Sequence, residues 1–411
     1  MADRPVTLSE LTEFHSFLNT YPFQDGVNIR TNPFPAILLT GPPQTGKSVL
    51  SYLLTEHLRQ IKVPQSLLRA VPDDDGDWHY GGDREIFYRL CSYKKGDCST
   101  AFLDYISQAI EKRWLPLLVD VSGKFQGDQL DLIDGCTHSI LLYRDDEDYL
   151  KWRDRLAGIG LQPVAELRSE PDAADQILEL RPVLRGTIGG LKREIENRRV
   201  GAIFGALLDR VAGISHYNAL ELERIHLIDA PLPALTERGL ADELGVPVGQ
   251  KIFWEPWHLA QIEQRVSVGK PYAFYGHGSI WLTAMLAAYA WPAPYAVFDA
   301  RFGWLDVPPV RKGPERNLKV MYSQRKGDLW LDIKLSQQNG LEPGPISISA
   351  PLADVGVILS GQLPAWVFAA LTRFFAQTQA WVGVDEMDLD CVIVVWSKTV
   401  SHPVGRVLAH Q

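Results

Sequence analysis

Gly41, Gln44, Thr45, Gly46, Lys47 and Ser48 fall within the spacing G-x-x-x-x-G-K-[ST], and they follow directly on the apolar run Ala36–Thr40. Each residue type has a separate task in holding phosphate. Glycines let backbone N–H groups close around phosphate oxygens, Lys47 reaches the outer phosphates, and Ser48 offers a hydroxyl to Mg²⁺. The stretch from Ser48 to Gln60 predicts an amphipathic helix whose positive dipole end points at the same anion. A strand before the loop and a helix after it distinguish this motif from a fortuitous glycine-rich turn. The residues therefore predict nucleotide binding with Mg²⁺.

Asp120, at the end of the apolar run Leu115–Val119, offers a carboxylate for the metal. An aspartate beside a phosphate loop holds Mg²⁺ directly or through water; a capping or turn aspartate is the plainer alternative. Asp73, Asp74, Asp75 and Asp77 crowd the end of another expected strand, Ser66–Val71, where carboxylates repel unless solvated or neutralised by a cation. Asp75 is the candidate there for cofactor binding in a metal-linked switch loop, set against a plain solvated loop. Arg84, Lys94 and Lys95 follow as further candidates to reach phosphates.

These groups need a scaffold that gathers strand ends. Strands at Ala36–Thr40, Ser66–Val71, Leu115–Val121 and Ser139–Leu142 alternate with helices at 48–60, 100–113 and 146–157. That alternation predicts an α/β fold with a mainly parallel sheet and helices on both faces. The pattern continues through Leu180–Gly213 with a helix at Val200–Val211, while Pro231–Lys270 reads as helix-rich with a strand-like Lys251–Trp254. At 411 residues there is chain for two or three domains of roughly 150 residues each. A net charge of −9 with no long Lys/Arg run excludes a general nucleic-acid coat. Cys91, Cys98, Cys136 and Cys391 show neither zinc nor disulfide spacing, so reduced thiols and a cytoplasmic setting are expected. No signal-peptide pattern stands at the N-terminus, and the longest apolar run, Trp281–Trp291, falls short of the ~18 residues of a membrane span.

Two distant stretches share one layout. In the first, Pro271–Tyr275 leads through Gly276, His277 and Gly278 into a helix, after which the strand Pro294–Phe298 ends in Asp299. In the second, Val355–Leu359 leads through Ser360, Gly361 and Gln362 into a helix, and Ala380–Val384 ends in Asp385. Trp281 and Trp366 stand at the same offset from Gly276 and Gly361, and the two glycine-to-aspartate spacings differ by one residue. Such near-equality points to an internal duplication. A strand that enters a helix through glycine turns backbone N–H groups outward, which makes an anion site. Two such units about a pseudo-twofold axis would present two sites to one symmetric ligand. Tight strand-to-helix connections are the equally weighted alternative.

The pattern G-x-G-x-I-W-L, a helix, an apolar strand and D-x-R-x-G resembles the Csx-three family of CRISPR-associated proteins. Gly276, Gly278, Ile280, Trp281, Leu282, Asp299, Arg301 and Gly303 carry it. The second unit resembles the same family through Ser360, Gly361, Pro364, Trp366 and Asp385, as does its opening hairpin Leu318–Ile333. That family comprises small ring nucleases of type III systems that bind cyclic tetra-adenylate, and members occur fused to a P-loop ATPase, often labelled AAA. Residues 36–215 look like that partner. The resemblance thus implies a P-loop NTPase domain at 1–215 followed by two tandem small α/β units, CARF-related, at 216–312 and 313–411. It also implies a ligand site lined by Gly276, His277, Gly278, Ser279, Trp281, Asp299, Arg301, Ser360, Gly361, Gln362, Trp366 and Asp385.

The family opens its ring with histidines on and beyond the helix, together with the Asp and Arg of D-x-R. Here the first helix ends in Ala287–Pro292 without histidine, and the second unit has Asp385-Glu386-Met387 in place of D-x-R. The expectation is therefore an antiviral accessory protein that senses cyclic oligoadenylate and couples it to ATP hydrolysis. Lys47 and Asp120 would be catalytic, Ser48 and Asp120 would hold metal, and the coupling must be reciprocal. Three alternatives stand beside it: a small-molecule kinase with Asp75 or Asp77 as base, a ring nuclease acting through Asp299 and Arg301, and an assembly module. In the last, some of the 12 tryptophans serve as interface anchors. A homo-oligomer is expected.

Overall fold

The computed structural model describes residues 32–70, 100–121, 133, 135–192, 201–249, 251–276, 278–315, 318–325, 327–335, 343–349 and 355–409. Asp75 with its acidic loop, Arg84, Lys94, Lys95 and His277 lie outside the described residues. The chain divides into two compact units, Met1–Ile225 and His226–Gln411.

In the first unit, β1 (Ala36–Thr40) is buried along its whole length. A strand with no polar face needs cover on both sides, which places it inside a sheet rather than at its edge. The sheet runs β2-β3-β1-β4-β5-β7-β6, with β2 (Ser66–Ala70), β3 (Leu117–Val121), β4 (His138–Tyr143), β5 (Gln162–Ser169), β6 (Gln176–Glu179) and β7 (Leu184–Ile188). Pairings are parallel except that β6 runs antiparallel to β7. Ile37 and Leu39 face α1 (Lys47–Gln60) and α4 (Ala202–Ile214) through Leu50, Leu54, Phe204 and Leu207. Ala36 and Leu38 face α2 (Thr100–Glu111) and α3 (Asp146–Ile159) through Ile106, Ile110, Trp152 and Leu156. This alternation of core partners is the two-residue period of a strand covered on both faces. Asp145 starts α3 by accepting the Asp148 N–H at 2.9 Å, and Gly160, at φ 76°, ends it.

The first unit reaches beyond the expected boundary after residue 215. Tyr217, together with Leu222 and Ile225 of α5 (Ala219–Ile228), packs on Phe34, and the Tyr217 hydroxyl donates to the Pro33 carbonyl at 3.0 Å. The two expected C-terminal domains in turn form one unit around one core.

That second unit holds β8 (Ala234–Thr236), α6 (Glu237–Leu244), α7 (His258–Glu263), β9 (Tyr272–Tyr275), α8 (Ile280–Ala290), β10 (Tyr295–Asp299) and β11 (Gly303–Asp306). It continues with β12 (Val310–Lys312), β13 (Leu318–Arg325), β14 (Asp328–Leu335), β15 (Ile346–Ile348), β16 (Gly356–Ser360), α9 (Ala365–Ala376), β17 (Trp381–Glu386), β18 (Cys391–Ser397) and β19 (Val407–Ala409). One sheet runs β11-β10-β9-β8, another β13-β14-β16-β17-β18-β19, and β12 pairs with β15. In the first sheet β8, β9 and β10 are parallel and β11 returns antiparallel. In the second β14, β16 and β17 are parallel and β18 returns antiparallel. The two share order and direction over four strands. Every residue of α8 from Trp281 to Ala290 is buried, as a helix apolar all round requires, and its core is continuous with that of α9.

The strand expected at Lys251–Trp254 is not one: these residues are irregular. The Trp254 indole instead donates to Glu237 Oε1 at 2.7 Å, tying the segment to the start of α6. No helix among the described residues is long and apolar enough to cross a membrane.

Trp366, 1% exposed in the core of the second unit, sets a stability prediction. Truncating so large a buried side chain costs about 3–5 kcal/mol. Trp366→Ala should lower the urea midpoint of the full chain by a corresponding amount, and a loss below about 1 kcal/mol would contradict its place in the core.

Candidate functional site

Gly41 directly follows β1 at φ +135°, and a β-carbon there would lie 1.9 Å from the Leu142 carbonyl oxygen on neighbouring β4. Only glycine fits, and the chain turns sharply. Thr45, buried, donates its hydroxyl to the Pro42 carbonyl at 3.0 Å and braces the loop. Gly46 caps α1, with Leu191 packed against it, and Gln44 stands exposed at φ 64°. Lys47, at 7% exposure, donates from Nζ to the Gly41 carbonyl at 3.0 Å and the Pro42 carbonyl at 2.7 Å.

β3 lies directly beside β1, with Asp120 opposite Leu39. Asp120 is 1% exposed, and burial pushes its carboxyl above the usual range. Hydrogen bonds from Ser48 and Ser51 and the charges of Lys47 and Arg69 pull the other way. Ser51 Oγ reaches Oδ2 at 3.3 Å, while Oδ1 has no hydrogen-bond partner. A buried carboxylate oxygen without a partner, next to a serine hydroxyl, suits a hard cation. Mg²⁺ takes one or two carboxylates and completes its shell with phosphate oxygens and water. Lys47, Ser48 and Asp120 thus fit an ATP·Mg²⁺ group.

Burial lowers the Lys47 ammonium to about 8, against the pull of Asp120 and with the charge of Arg144 in the same direction. Arg144 follows β4 and bonds Asp148 from Nε at 3.1 Å. Sequence reasoning passed over it, although an arginine at the end of a strand bordering the phosphate loop is a legible signal. Ser51, one helical turn past Ser48, was missed as well.

In the second unit Asp299 and Arg301 are brought together, but on each other. Nε and Nη2 of Arg301 bond the carboxylate at 3.1 and 2.9 Å, and the Arg301 N–H adds a third bond at 2.9 Å. The Ser360 hydroxyl donates to Asp385 Oδ2 at 2.6 Å, joining the ends of parallel β16 and β17. Gly276, Gly278, Ser279 and Gly361 are partly exposed and Gln362 is exposed. Trp281 and Trp366 are corrected: each is 1% exposed and fills the core, so neither lines a ligand.

A model of the family described as CRISPR-associated protein (Cas_csx3) matches residues 339–409. The match supports a CRISPR-associated Csx3 domain in this stretch, which spans β15 to β19 and includes Gly361. No curated protein matches the chain significantly. Among solved structures the chain is similar to chloroplast FtsY from Physcomitrella patens, at 14% identity over 49% of this chain and 73% of that chain, with a TM-score of 0.25. So low a score carries no inference.

The Lys47 shift sets a pH test. Its folded value, about 8, lies below its ordinary 10.5, so between those two values the unfolded chain binds more protons and stability rises with pH. The buried ammonium weakens the fold below pH 8, and the deficit is relieved toward pH 10.5. The unfolding free energy of the protein minus that of Lys47→Met should grow across this window by on the order of 3 kcal/mol. A flat difference would mean that Lys47 titrates normally.

Proposed function

We propose that the first unit binds and hydrolyses ATP with Mg²⁺, and that the second is a duplicated Csx3-like module that senses cyclic tetra-adenylate without cutting it, in type III CRISPR defence. One observation carries the first half: Lys47 and Asp120, from adjoining elements, are buried together where the glycine loop leaves β1. The lysine supplies positive charge for the outer phosphates, Ser48 and the free Oδ1 of Asp120 hold the cation, and Arg144 adds a second positive charge nearby. When bound, Mg²⁺ offsets charge on the phosphate oxygens.

The Csx3 match at residues 339–409 supports the second half. The shared four-strand order extends the reading to the first module. Sensing rather than cutting is supported by the state of D-x-R: Arg301 is spent on Asp299 in one module, and Asp385 is bonded by Ser360 in the other.

Purified protein should release phosphate from ATP only with Mg²⁺, and Lys47→Ala and Asp120→Asn should each lower kcat by roughly 100-fold or more, the scale of removing one preorganised electrostatic partner. Calorimetry should give saturable heat with cyclic tetra-adenylate, and the ring should be recovered intact. No heat with folded protein would remove the sensor, and linear product would make the second unit a nuclease.

A further inference from the structure

We propose that Arg144 binds the terminal phosphate of ATP, positioned for it by Asp148, so that the site prefers the triphosphate to the diphosphate. This deepens the nucleotide reading above and rests on it.

Strand direction places the arginine. β1 and β4 are parallel neighbours, with Thr40 opposite Leu141, so both strands end on the same edge of the sheet. The Leu142 backbone lies against Gly41, where the phosphate loop begins. Arg144 follows two residues later, while Lys47 Nζ is held at that same point by the Gly41 and Pro42 carbonyls. The two cations are therefore neighbours. Burial is the larger cause that depresses the Lys47 ammonium, and the Arg144 charge acts in the same direction. Like charges so placed repel, and an anion set against both relieves the repulsion.

How the guanidinium is held decides what it can do. Asp145 accepts the Asp148 N–H at 2.9 Å and opens α3, which fixes the Asp148 backbone one turn after Arg144. Asp148 Oδ2 then accepts from Arg144 Nε at 3.1 Å, the one hydrogen bond of this side chain among the described residues. A guanidinium carries five N–H donors, so both Nη groups keep theirs. The side chain is half exposed, and its planar fork matches a phosphate through two parallel hydrogen bonds.

Phosphate chemistry selects the group it meets. Backbone N–H groups of the loop cradle the inner phosphates, and the lysine reaches the outer ones. The terminal phosphate is the farthest from those amides and the most charged. It gains most from a second cation.

Calorimetry on the full chain with Mg²⁺ compares ADP with the β,γ-imido analogue of ATP, whose bridging nitrogen resists cleavage. Arg144→Met should weaken binding of the analogue by roughly tenfold or more, the scale of a lost charged hydrogen bond, and that of ADP by less than about threefold. Asp148→Asn keeps the shape and removes the charge, so it should give a smaller loss of the same kind. The double variant should then lose no more than Arg144→Met alone. An equal loss for both ligands, or none for the analogue, overturns the proposal and leaves the nucleotide site standing; losses that simply add in the double variant overturn the part given to Asp148. Should Arg144→Met fail to fold, Arg144→Lys decides in its place, because it keeps the charge and lacks the fork: a fall in the preference for the analogue supports the proposal, and an unchanged preference overturns it. A parent protein that binds neither ligand removes the nucleotide reading and this proposal with it.

Discussion

A single backbone constraint shapes both sites: a parallel strand must end beside a neighbour that continues. At Gly41 the Leu142 carbonyl of β4 fills the space a side chain would take, and at Gly361 the Ile333 carbonyl of β14 does the same, with β-carbons placed 1.9 and 2.0 Å from those oxygens. Both residues take φ near the same value, +135° and +140°. Parallel strands are spaced about 4.8 Å apart by their hydrogen bonds, so the conflict cannot be relieved without breaking the ladder. The chain accordingly turns out of the sheet at once and enters a helix. In the first unit this turn also sets the Gly41 and Pro42 carbonyls against Lys47.

Once the loop is fixed, the charges buried beneath it govern the rest of the site. Taking an ammonium and a carboxylate out of water costs several kcal/mol each, and their attraction offsets this only in part. Burial drives Lys47 and Asp120 toward their neutral forms even though each favours the charge of the other. Two loop carbonyls serve Lys47 and two serines serve Asp120, yet Oδ1 stays without a hydrogen bond. An anion at the lysine and a cation at the aspartate satisfy the same two deficits together, so nucleotide and metal fit the site better as a pair than singly.

How much of this was legible depended on whether short or long range forces placed the residue. β1, the glycine loop and α1 were readable because an uninterrupted apolar strand and a fixed motif determine them locally, and α3 is set by its Asp145 cap and its Gly160 stop. Tyr217 belongs to the first unit because of Phe34, far away in the chain, and no local pattern announces that. The segment between residues 231 and 270 resisted reading for the same reason: α6 and α7 are short, and the position of Trp254 follows from a bond to Glu237 rather than from periodicity. Trp281 and Trp366 were misread in the opposite sense. The family resemblance implied that they line a ligand, whereas a position in the first turn of an apolar helix points a large ring into the core.

The glycine turns also differ in the charge at their rims. Beside the first, the Asp299 carboxylate is matched by Arg301. Beside the second, Cys391 is pushed up by burial and further by Glu386, Asp385 and Asp390, which marks a locally negative field. Asp385 is held by Ser360 rather than by a cation in the bond that joins β16 and β17. An ionised carboxylate accepts hydrogen bonds and cannot donate them, so this rim favours ligand groups that donate, such as a hydroxyl or an exocyclic amine. In the sensor reading proposed above, phosphate oxygens, being acceptors, would be left to backbone N–H groups at the head of α9. Those groups attract anions only over about the first turn of the helix, so a ligand must satisfy donor and acceptor demands within a short distance. A nucleotide has both kinds of group on one compact frame, whereas a bare phosphate has only acceptors and meets the carboxylates without compensation.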